Sequence, residues 1–289
     1  MDQSNVTLRA PTTADAEAVG EVVFRAFASI ADAHNFPRDF ASAEFAAGLM
    51  RSLIAHPKYW GVVAETGGRV AACNFLDQRD EIGGIGPMCV HPEFQGMGLG
   101  RRLMKAVIER GRGMRGLRLV QDAFNTTSLS LYASLGFDSR EPLALMTGRP
   151  RDARPDSNVR PMTDADVKAC TVLCQEIHGI SRANELHDAV AHFRPFVLER
   201  SGRISAYCTT PPLWLLNHAV AESEEDLRAL LLGAAASIDA PLGLLVPMRQ
   251  AGFFRWCLGQ GLRVVKPMTL MSTGDYQEPR GAFFPSVIY

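Results

Sequence analysis

The sequence has no excess of charge of either sign. Its 30 lysines and arginines are balanced by 31 aspartates and glutamates, which gives a net charge of −1 over 289 residues. Proteins that bind nucleic acid or an anionic membrane usually carry a basic patch or a surplus of positive charge. We therefore expect neither a nucleic acid nor a membrane surface among its partners.

Long apolar runs and C-x-x-C pairs are also missing. Stretches such as Leu230–Ile238 are too short to cross a bilayer, and the opening residues MDQSNVTLRAPT lack the basic and apolar segments of a secretory signal. Scattered cysteines without close pairs are typical of reduced, mostly buried thiols. We therefore expect a cytoplasmic protein. The six cysteines are Cys73, Cys89, Cys170, Cys174, Cys208 and Cys257.

One cysteine pair and a histidine raise the question of a metal site. Cys170, Cys174 and His178 are spaced four residues apart along a predicted helix. No fourth ligand is evident, and the span exceeds what one ion easily bridges. We expect these residues to face the core and no metal to bind.

Three short segments of the first half recur in the same order in the second half. Such ordered self-similarity indicates a duplicated unit. The matching pairs are RAPTTAD (9–15) with RPMTDAD (160–166), AETGGRVAA (64–72) with LERSGRISA (198–206), and GFDSREPLALM (136–146) with GLRVVKPMTLM (261–271). The sequence therefore predicts a first domain at 1–147, a linker rich in Pro, Arg and Asp at 148–158, and a second domain at 159–289.

The first copy alternates helical and extended patterns. TADAEAVGEVVFRAF predicts a helix capped by Thr13 or Asp15, and YWGVVAETGGRVAACNFLD predicts a hairpin around a Gly-Gly turn. GGIGPMCV predicts a buried strand, and an amphipathic helix pattern starts at Leu99. Another strand and a short helix ending near Gly136 complete the copy. The fold class is α/β (α+β), with a mixed, mostly antiparallel central sheet flanked by helices.

The stretch HPEFQGMGLGRRLM (91–104) places three glycines directly before a helix. The exposed N–H groups of a first helical turn bind anions, and glycines let the backbone approach phosphate oxygens closely. No Gly-Lys-Ser/Thr follows, as a Walker A loop would require, and the spacing Gly96-x-Gly98-x-Gly100 does not fit a dinucleotide fingerprint. The pattern indicates a phosphate-binding loop of another kind.

Two motifs identify that kind. Gln95-Gly96-Met97-Gly98-Leu99-Gly100 resembles the Q/R-x-x-G-x-G/A signature of the GCN5-related N-acetyltransferase (GNAT) superfamily. Further along, Asn125, Tyr132 and Gly136-Phe137 resemble that family's N-x6-Y-x3-GF motif. The resemblance covers about residues 5–147. It implies a GNAT-like domain that uses acetyl-CoA, with the pyrophosphate of coenzyme A on the N–H groups of the Gln95–Arg101 loop. Together with the duplication, it implies that a second GNAT-like domain follows in tandem.

The resemblance also assigns site residues. Pantetheine would lie beside the Met88–Val90 strand, and Tyr132 would donate a proton to the leaving sulfur. A backbone N–H near Cys89 or Val90 could polarise the thioester carbonyl. Asn125 would cap the last helix or contact the pantetheine arm. The expected cofactor-binding residues are Met88, Cys89, Val90, Gln95, Gly96, Met97, Gly98, Leu99, Gly100, Arg101 and Asn125.

The acceptor site is less defined by the sequence. Asp77, Asp80 and Glu81 follow the hairpin and could activate an ammonium group, although a solvated loop explains them equally well. The aromatic-rich segment at 27–60 predicts part of an acceptor pocket, with Phe27 and Phe36 as candidate lining residues. We expect a small-molecule amine as acceptor, and the sequence is compatible with a homodimer.

The second copy lacks the glycine loop. In its place, AESEEDLRALLL puts Glu222, Glu224 and Glu225 around a helix start capped by Ser223 and Asp226. Carboxylates there would repel a pyrophosphate, and the duplication aligns Cys257 with Tyr132 and Gln250 with Asn125. The second copy is therefore predicted to be degenerate. The chain in this respect resembles tandem GNAT proteins in which one half binds acyl-CoA and the other shapes the acceptor site.

Two other functions stay open from the sequence. The chain could be a non-catalytic acyl-CoA sensor, or it could acetylate proteins rather than small molecules. An intact loop beside Tyr132 and Asn125 favours an enzyme over a sensor. A second domain covering the cleft would argue against a protein substrate.

Overall fold

A computed structural model describes residues 6–288 of the chain and shows a mixed α/β architecture. The elements of the first half are β1 (Val6–Arg9), α1 (Ala16–Ala33), α2 (Ala43–Ala55), β2 (Tyr59–Thr66), β3 (Arg69–Asp77), β4 (Ile82–Ile85), β5 (Cys89–Val90), α3 (Leu99–Arg110), β6 (Gly116–Asp122), α4 (Thr126–Ser134) and β7 (Asp138–Gly148). Those of the second half are β8 (Val159–Pro161), α5 (Val167–His178), α6 (Ala183–His192), β9 (Phe196–Arg200), β10 (Arg203–Cys208), β11 (Ala219–Ala221), α7 (Glu224–Ala236), β12 (Leu242–Pro247), α8 (Ala251–Gly259), β13 (Arg263–Gly274) and β14 (Ala282–Phe284).

The first repeated segment forms the same local structure in both halves. A short 3-10 turn precedes α1 and α5, and the Asp that ends each turn accepts hydrogen bonds from the backbone and hydroxyl of the Thr three residues earlier. Two guanidinium nitrogens of Arg9 bind the Asp15 carboxylate at 2.8 and 2.9 Å, and Arg160 binds Asp166 at the same two distances. The predicted helix thus starts at Ala16, after its capping turn.

Strands of the two halves alternate in one part of the main sheet. The main sheet has nine strands in the order β1-β2-β3-β4-β6-β13-β7-β12, with β5 paired to β3. Strand β13 of the second half lies between β6 and β7 of the first half, antiparallel to both. Strand β7 in turn lies between β13 and β12. The boundaries 1–147, 148–158 and 159–289 stay predictions, because the halves share one sheet.

A smaller sheet belongs to the second half alone, with strand order β14-β11-β10-β9-β8. Helices α5 and α7 both pack against β10 of this sheet. Buried apolar side chains of these elements form cores that continue onto β7, β12 and β13 of the main sheet. The duplicated unit is therefore packed as one molecule with a continuous interior.

The main sheet divides between β4 and β6. The two strands run parallel and pair from Ile82 to Gly84, opposite Gly116 to Arg118. The predicted single strand at 83–90 is wrong in one respect, since it is interrupted after Ile85 and resumes as β5, which pairs with β3. Pro87 lies in the interruption and has no N–H to donate to a ladder. Beyond Gly84 the neighbouring strands separate, and the main cavity of the protein opens there.

Helix α5 carries the two cysteines and the histidine that raised the question of a metal site. Cys170, Cys174 and His178 are all buried on α5, as predicted for core residues. Among residues 6–288, no group of three or more His, Cys, Asp and Glu side chains could hold a metal ion. Over the same range, no helix is both long and apolar enough to span a membrane.

Candidate active site

A cavity of about 900 Å³ lies where β4 and β5 diverge from β6. Apolar side chains dominate its wall, and residues from both halves of the chain contribute to it. From the predicted cofactor site, the lining includes Met88, Cys89, Val90, Gln95, Gly96, Gly98, Leu99, Gly100, Arg101 and Asn125. Tyr132 and Phe27 also line the cavity. The structure therefore brings most of the sequence-predicted residues together.

The glycine loop adopts the backbone that its sequence suggests. Gly96 and Gly98 have φ angles of +78° and +74°, in the left-handed region that favours glycine. A Cβ added at either residue would meet no atom within 4 Å. The backbone of the loop therefore borders open space, which we call the cradle, and side chains at Gly96 or Gly98 would reduce that space.

Helix α3 starts at this cradle with Gly98 as its N-cap and without a side-chain cap. Its first turn has no acidic residue, whereas the first turn of α7 in the second half carries Glu224, Glu225 and Asp226. The Arg101 side chain lies across α4 and donates to the Ser134 hydroxyl at 2.8 Å. Free N–H groups at a helix start, without nearby carboxylates, favour an anion.

Tyr132 lies on α4 and is 7% exposed. Burial is the main cause that raises the pKa of its phenol, with the Cys89 thiol and the Asp122 carboxylate adding to the rise. The phenol therefore keeps its proton throughout the neutral range. The same electrostatic contacts show that Cys89, Asp122 and Tyr132 lie around one region of the cavity.

Asn125 is the N-cap of α4, and its side-chain oxygen accepts from the Ser128 N–H at 3.1 Å. This confirms the capping half of the expectation for this residue. Asn125 also lines the cavity, so contact with a ligand stays a prediction.

Asp77 lies outside the cavity lining, contrary to the expectation of a substrate contact. The Arg79 guanidinium binds its carboxylate at 2.7 Å, and the Tyr59 hydroxyl donates to it at 3.0 Å. Asp80 accepts from the backbone N–H groups of Asn184 and Glu185, and Glu81 pairs with Arg115. Asp80, together with Glu81 through the Ser181 N–H, joins the two halves of the chain. All three carboxylates are thus bound to other groups of the protein outside the cavity, which does not fit the role of a base.

Two other predicted residues lie elsewhere. Phe36 stacks on Phe124, with ring centroids 4.2 Å apart, and is not part of the cavity wall. Met97 lies in the glycine loop, but it packs against the apolar core beside α3. Phe27 does line the cavity and packs edge-on against Phe40.

The charged part of the cavity wall was not predictable from any sequence motif. Asp39 in the α1–α2 loop and Asp122 at the end of β6 both line it. Lys266 of β13 lies 2.7 Å from the Asp39 carboxylate and 2.6 Å from that of Asp122. Asp39 and Lys266 are 227 residues apart in the chain. Only the exchange of β13 brings them together.

The second half contributes further wall residues that sequence reasoning missed. Trp214, Leu215, Met268, Val287 and Ile288 all line the cavity. The Val287 N–H donates to the Leu215 carbonyl at 3.0 Å, which holds the final described residues in place. Ser286 to Ile288 therefore pack against the second half and the cavity. Residue 289 lies outside the described range.

The matching gap in the second half is filled by its own chain. Strand β14 pairs with β11 and also contacts β12. The Gln250 side chain, which the duplication aligns with Asn125, donates to the Phe283 carbonyl at 2.9 Å. Ser223 accepts from the Asp226 N–H at 3.1 Å, as predicted for the capped α7. Backbone and carboxylates thus occupy the place that the glycine loop and cavity hold in the first half.

The segment of the chain that contains this site is similar to a known protein family. Residues 26–137 match the acetyltransferase (GNAT) family. The glycine loop and Tyr132 lie within the matched segment of this chain. A search of curated protein sequences finds no match.

Solved structures extend the likeness over the whole chain. A proposed acetyltransferase from Pyrococcus horikoshii has a TM-score of 0.80 at 16% identity, covering 100% of this chain and 96% of that one. A GCN5-related N-acetyltransferase from Sphaerobacter thermophilus has a TM-score of 0.62 at 18% identity, with 96% and 98% covered. A tandem GNAT protein from the clavulanic acid biosynthesis pathway has a TM-score of 0.56 at 14% identity, with 94% and 100% covered. These likenesses show the tandem GNAT fold.

Proposed function

We propose that this protein is an acetyl-CoA-dependent N-acetyltransferase that acts on a small-molecule amine. The observation that carries the proposal is one cavity lined by both the open Gly96–Gly98 cradle and the protonated phenol of Tyr132. The GNAT family match supports the reaction class.

The first half fits the proposed donor. The N–H groups at the start of α3 and the Gln95–Arg101 loop would bind the pyrophosphate, because the helix end is positive and glycine leaves room for the oxygens. Strand β5 pairs with β3 on one edge, while Cys89 and Val90 line the cavity. Their backbone would pair with the amides of the pantetheine arm. When bound, acetyl-CoA supplies the activated acetyl group.

The chain's own residues then handle the proton and the geometry. Tyr132 holds a proton on its hydroxyl, and we assign it as the acid that protonates the leaving sulfur. Backbone N–H groups near Cys89 and Val90 would orient the carbonyl and favour charge on its oxygen. The apolar wall excludes water from this region, which limits hydrolysis of the thioester.

A small acceptor is favoured over a protein. Trp214 and Leu215, together with Val287 and Ile288, form part of the wall from the second half. A polypeptide substrate would need an open groove at this position. We infer that the second half is a degenerate copy without a donor of its own, because β14 fills its gap and acidic residues surround the start of α7.

The test compares two glycines with nearly the same backbone conformation. Gly98 in the loop and Gly68 in the β2–β3 turn have φ angles of +74° and +73°, and an added Cβ would meet nothing within 4 Å at either position. Alanine at each should cost stability by about 1–2 kcal/mol. We expect Gly98→Ala to weaken acetyl-CoA binding at least about tenfold in calorimetry, because its methyl group enters the phosphate cradle.

Gly68→Ala is the matched control and should bind acetyl-CoA like the wild type. Equal affinity of both variants, or no binding by the wild-type protein, would refute the proposed donor site. Binding without release of free thiol in the presence of any amine would favour the acyl-CoA sensor.

A further inference from the structure

Two carboxylates of the cavity wall, Asp39 and Asp122, share one buried ammonium group, that of Lys266. The Asp39 carboxylate oxygens lie 2.7 and 2.8 Å from Lys266 Nζ, and both bonds are charge-assisted. Asp122 Oδ1 lies 2.6 Å from the same nitrogen. The side chains are 7%, 7% and 2% exposed for Asp39, Asp122 and Lys266. We call these three residues the acidic wall.

The two carboxylates of the acidic wall carry one more negative charge than the single ammonium group of Lys266 neutralises. Two carboxylates face a single ammonium group, and the surrounding lining is mostly apolar. The Asp122 Oδ1 atom accepts no hydrogen bond in spite of its short ion-pair contact. A buried carboxylate that lacks its full set of donors is unfavourable. The site is therefore suited to a ligand that brings a positive charge and N–H donors.

The acidic wall also lies beside the reacting groups. Asp39 acts electrostatically on the Cys89 thiol, and Asp122 acts on the Tyr132 phenol. Both carboxylates line the same cavity as the glycine loop. A group bound by them would lie near the residues assigned to the acetyl transfer. The second half of the chain, for which we propose no donor binding, contributes Lys266 to this site.

We propose that Asp39 and Asp122 bind the ammonium group of the acceptor, that Asp39 accepts the proton which this group must lose before it reacts, and that the acceptor is a primary amine on an apolar or aromatic body. This inference rests on the proposed function and names its substrate class. Phe27, Phe40, Leu49 and Leu53 provide apolar surface for the body of the acceptor.

The proton balance closes with the residues present. The ammonium group gives one proton to the Asp39 carboxylate, which later releases it to solvent. The freed nitrogen lone pair forms the bond to the acetyl carbon as the carbon–sulfur bond breaks. The sulfur takes the proton of Tyr132, and the second proton lost from the nitrogen restores the phenol.

Asp39 is suited to accept a proton because burial is the main cause that raises the pKa of its carboxyl group. Lys266 opposes this rise and Asp122 adds to it. The charged and titratable groups that face Asp39 are thus Lys266 on β13, Asp122 on β6 and Cys89 on β5.

The experiment measures thiol release with matched pairs of acceptors. Hexylamine, 2-phenylethylamine and 4-phenylbutylamine are compared with the alcohols of the same carbon skeletons. We expect acetylation of amines and not of the alcohols. Asp39→Asn should lower kcat/KM for the amines about 100-fold, and raising the pH towards 10 should recover part of the loss, because the free amine then needs no base.

Acetyl-CoA binding separates this inference from the proposed function. Asp39→Asn should bind acetyl-CoA as the wild type does, which also shows that the variant is folded. Asp39→Glu should retain the wild-type pH profile at a reduced rate, and Asp32→Asn, on the exposed end of α1, should change nothing. The inference alone is overturned if Asp39→Asn keeps full activity or if alcohols react as well as amines. Acetyl-CoA binding without reaction of any amine overturns the proposed function, and this inference with it.

Discussion

At the residue scale, Tyr132 combines burial with access to the cavity. Its hydroxyl keeps its proton because burial disfavours the phenolate, and the nearby Cys89 and Asp122 add to this effect. A protonated hydroxyl can donate to a sulfur on which negative charge develops. The rest of the ring packs against Phe137, with centroids 6.4 Å apart. Removal of the oxygen alone should therefore leave the wall intact.

Tyr132→Phe should lower kcat for thiol release by about 100- to 10,000-fold, since general acid catalysis is worth roughly that much. Acetyl-CoA affinity, measured by calorimetry, should stay within about threefold. Tyr59→Phe is the control, because it removes a hydroxyl bound to Asp77 outside the cavity and should lower stability without lowering kcat. A Tyr132→Phe variant with full kcat would exclude the phenol as the acid.

Individual residues were predictable from sequence where a motif fixed them. Residues of both motifs line the cavity, because each motif lies within one local segment. The glycine loop connects a strand to a helix, and Asn125 and Tyr132 lie at the start of a helix and within it. Asp77 was predicted to contact the substrate, but it binds Arg79 instead. The sequence pattern of a carboxylate in a loop is the same in both cases. Lys266 could not be found, since its partners are set by which strands pair and not by neighbouring residues.

At the scale of elements, close packing of α1 and α2 positions the acceptor side of the cavity. A Cβ added at Gly20 of α1 would lie 2.4 Å from the Ala47 Cα of α2. The two helices can therefore approach this closely only with glycine at that position. Phe27 on α1 and Leu49 and Leu53 on α2 line the cavity, and the connecting loop carries Asp39. The helix contact thus sets the place of the proposed base.

Gly20→Ala should reduce the free energy of unfolding by about 1–3 kcal/mol, because overpacking outweighs the gain in helix propensity. Gly48→Ala on α2 is the matched control, since an added Cβ there meets nothing within 4 Å. It should stabilise the protein by up to about 1 kcal/mol. Urea denaturation of both variants measures the difference. Stabilisation by both substitutions would show that the helices do not pack as described.

Local sequence patterns correctly predicted which of several segments of the first half form helices and which form strands. The hairpin around Gly67 and Gly68, the helix from Leu99 and the strand before α4 all match their periodicity. The interruption after Ile85 was not foreseen, because an apolar run with one proline reads as a continuous buried strand. The close contact between Gly20 and Ala47 could not be predicted either, because a glycine inside a helical pattern does not indicate which residue packs against it.

At the scale of the whole molecule, the duplication was visible in the sequence but the strand exchange was not. Repeated segments report that two copies exist, whereas hydrogen-bond partners of β7 and β13 depend on the assembled sheet. The exchange has a physical consequence. Because the halves share the sheet through β13, we expect them to unfold together in a single cooperative transition.

A buried polar network in the second half makes that transition sensitive to acid. His218 Nδ1 lies 3.3 Å from Glu185 Oε1, and its Nε2 lies 3.1 Å from the Tyr207 hydroxyl. Burial, and then Arg182, lower the pKa of His218 to about 4, although Glu185 acts in the opposite direction. The folded protein therefore holds His218 neutral where an unfolded chain would protonate it. Its contribution to stability is complete above about pH 6.5 and is lost as the pH falls towards 4.

His218→Gln should reduce this acid sensitivity. Between pH 7 and 4 the wild type should lose about 3 kcal/mol more of its free energy of unfolding than the variant, as the shift in the pKa of one histidine implies. His178, also buried neutral, should keep contributing to the slope in both proteins. His187→Gln, at an exposed position of α6, is the matched control. Urea titrations at several pH values, followed by tryptophan fluorescence and by loss of acetyl-CoA binding, should give coincident transitions. Equal slopes for wild type and His218→Gln would show that His218 is not held neutral, and separate transitions would show that the shared sheet does not couple the halves.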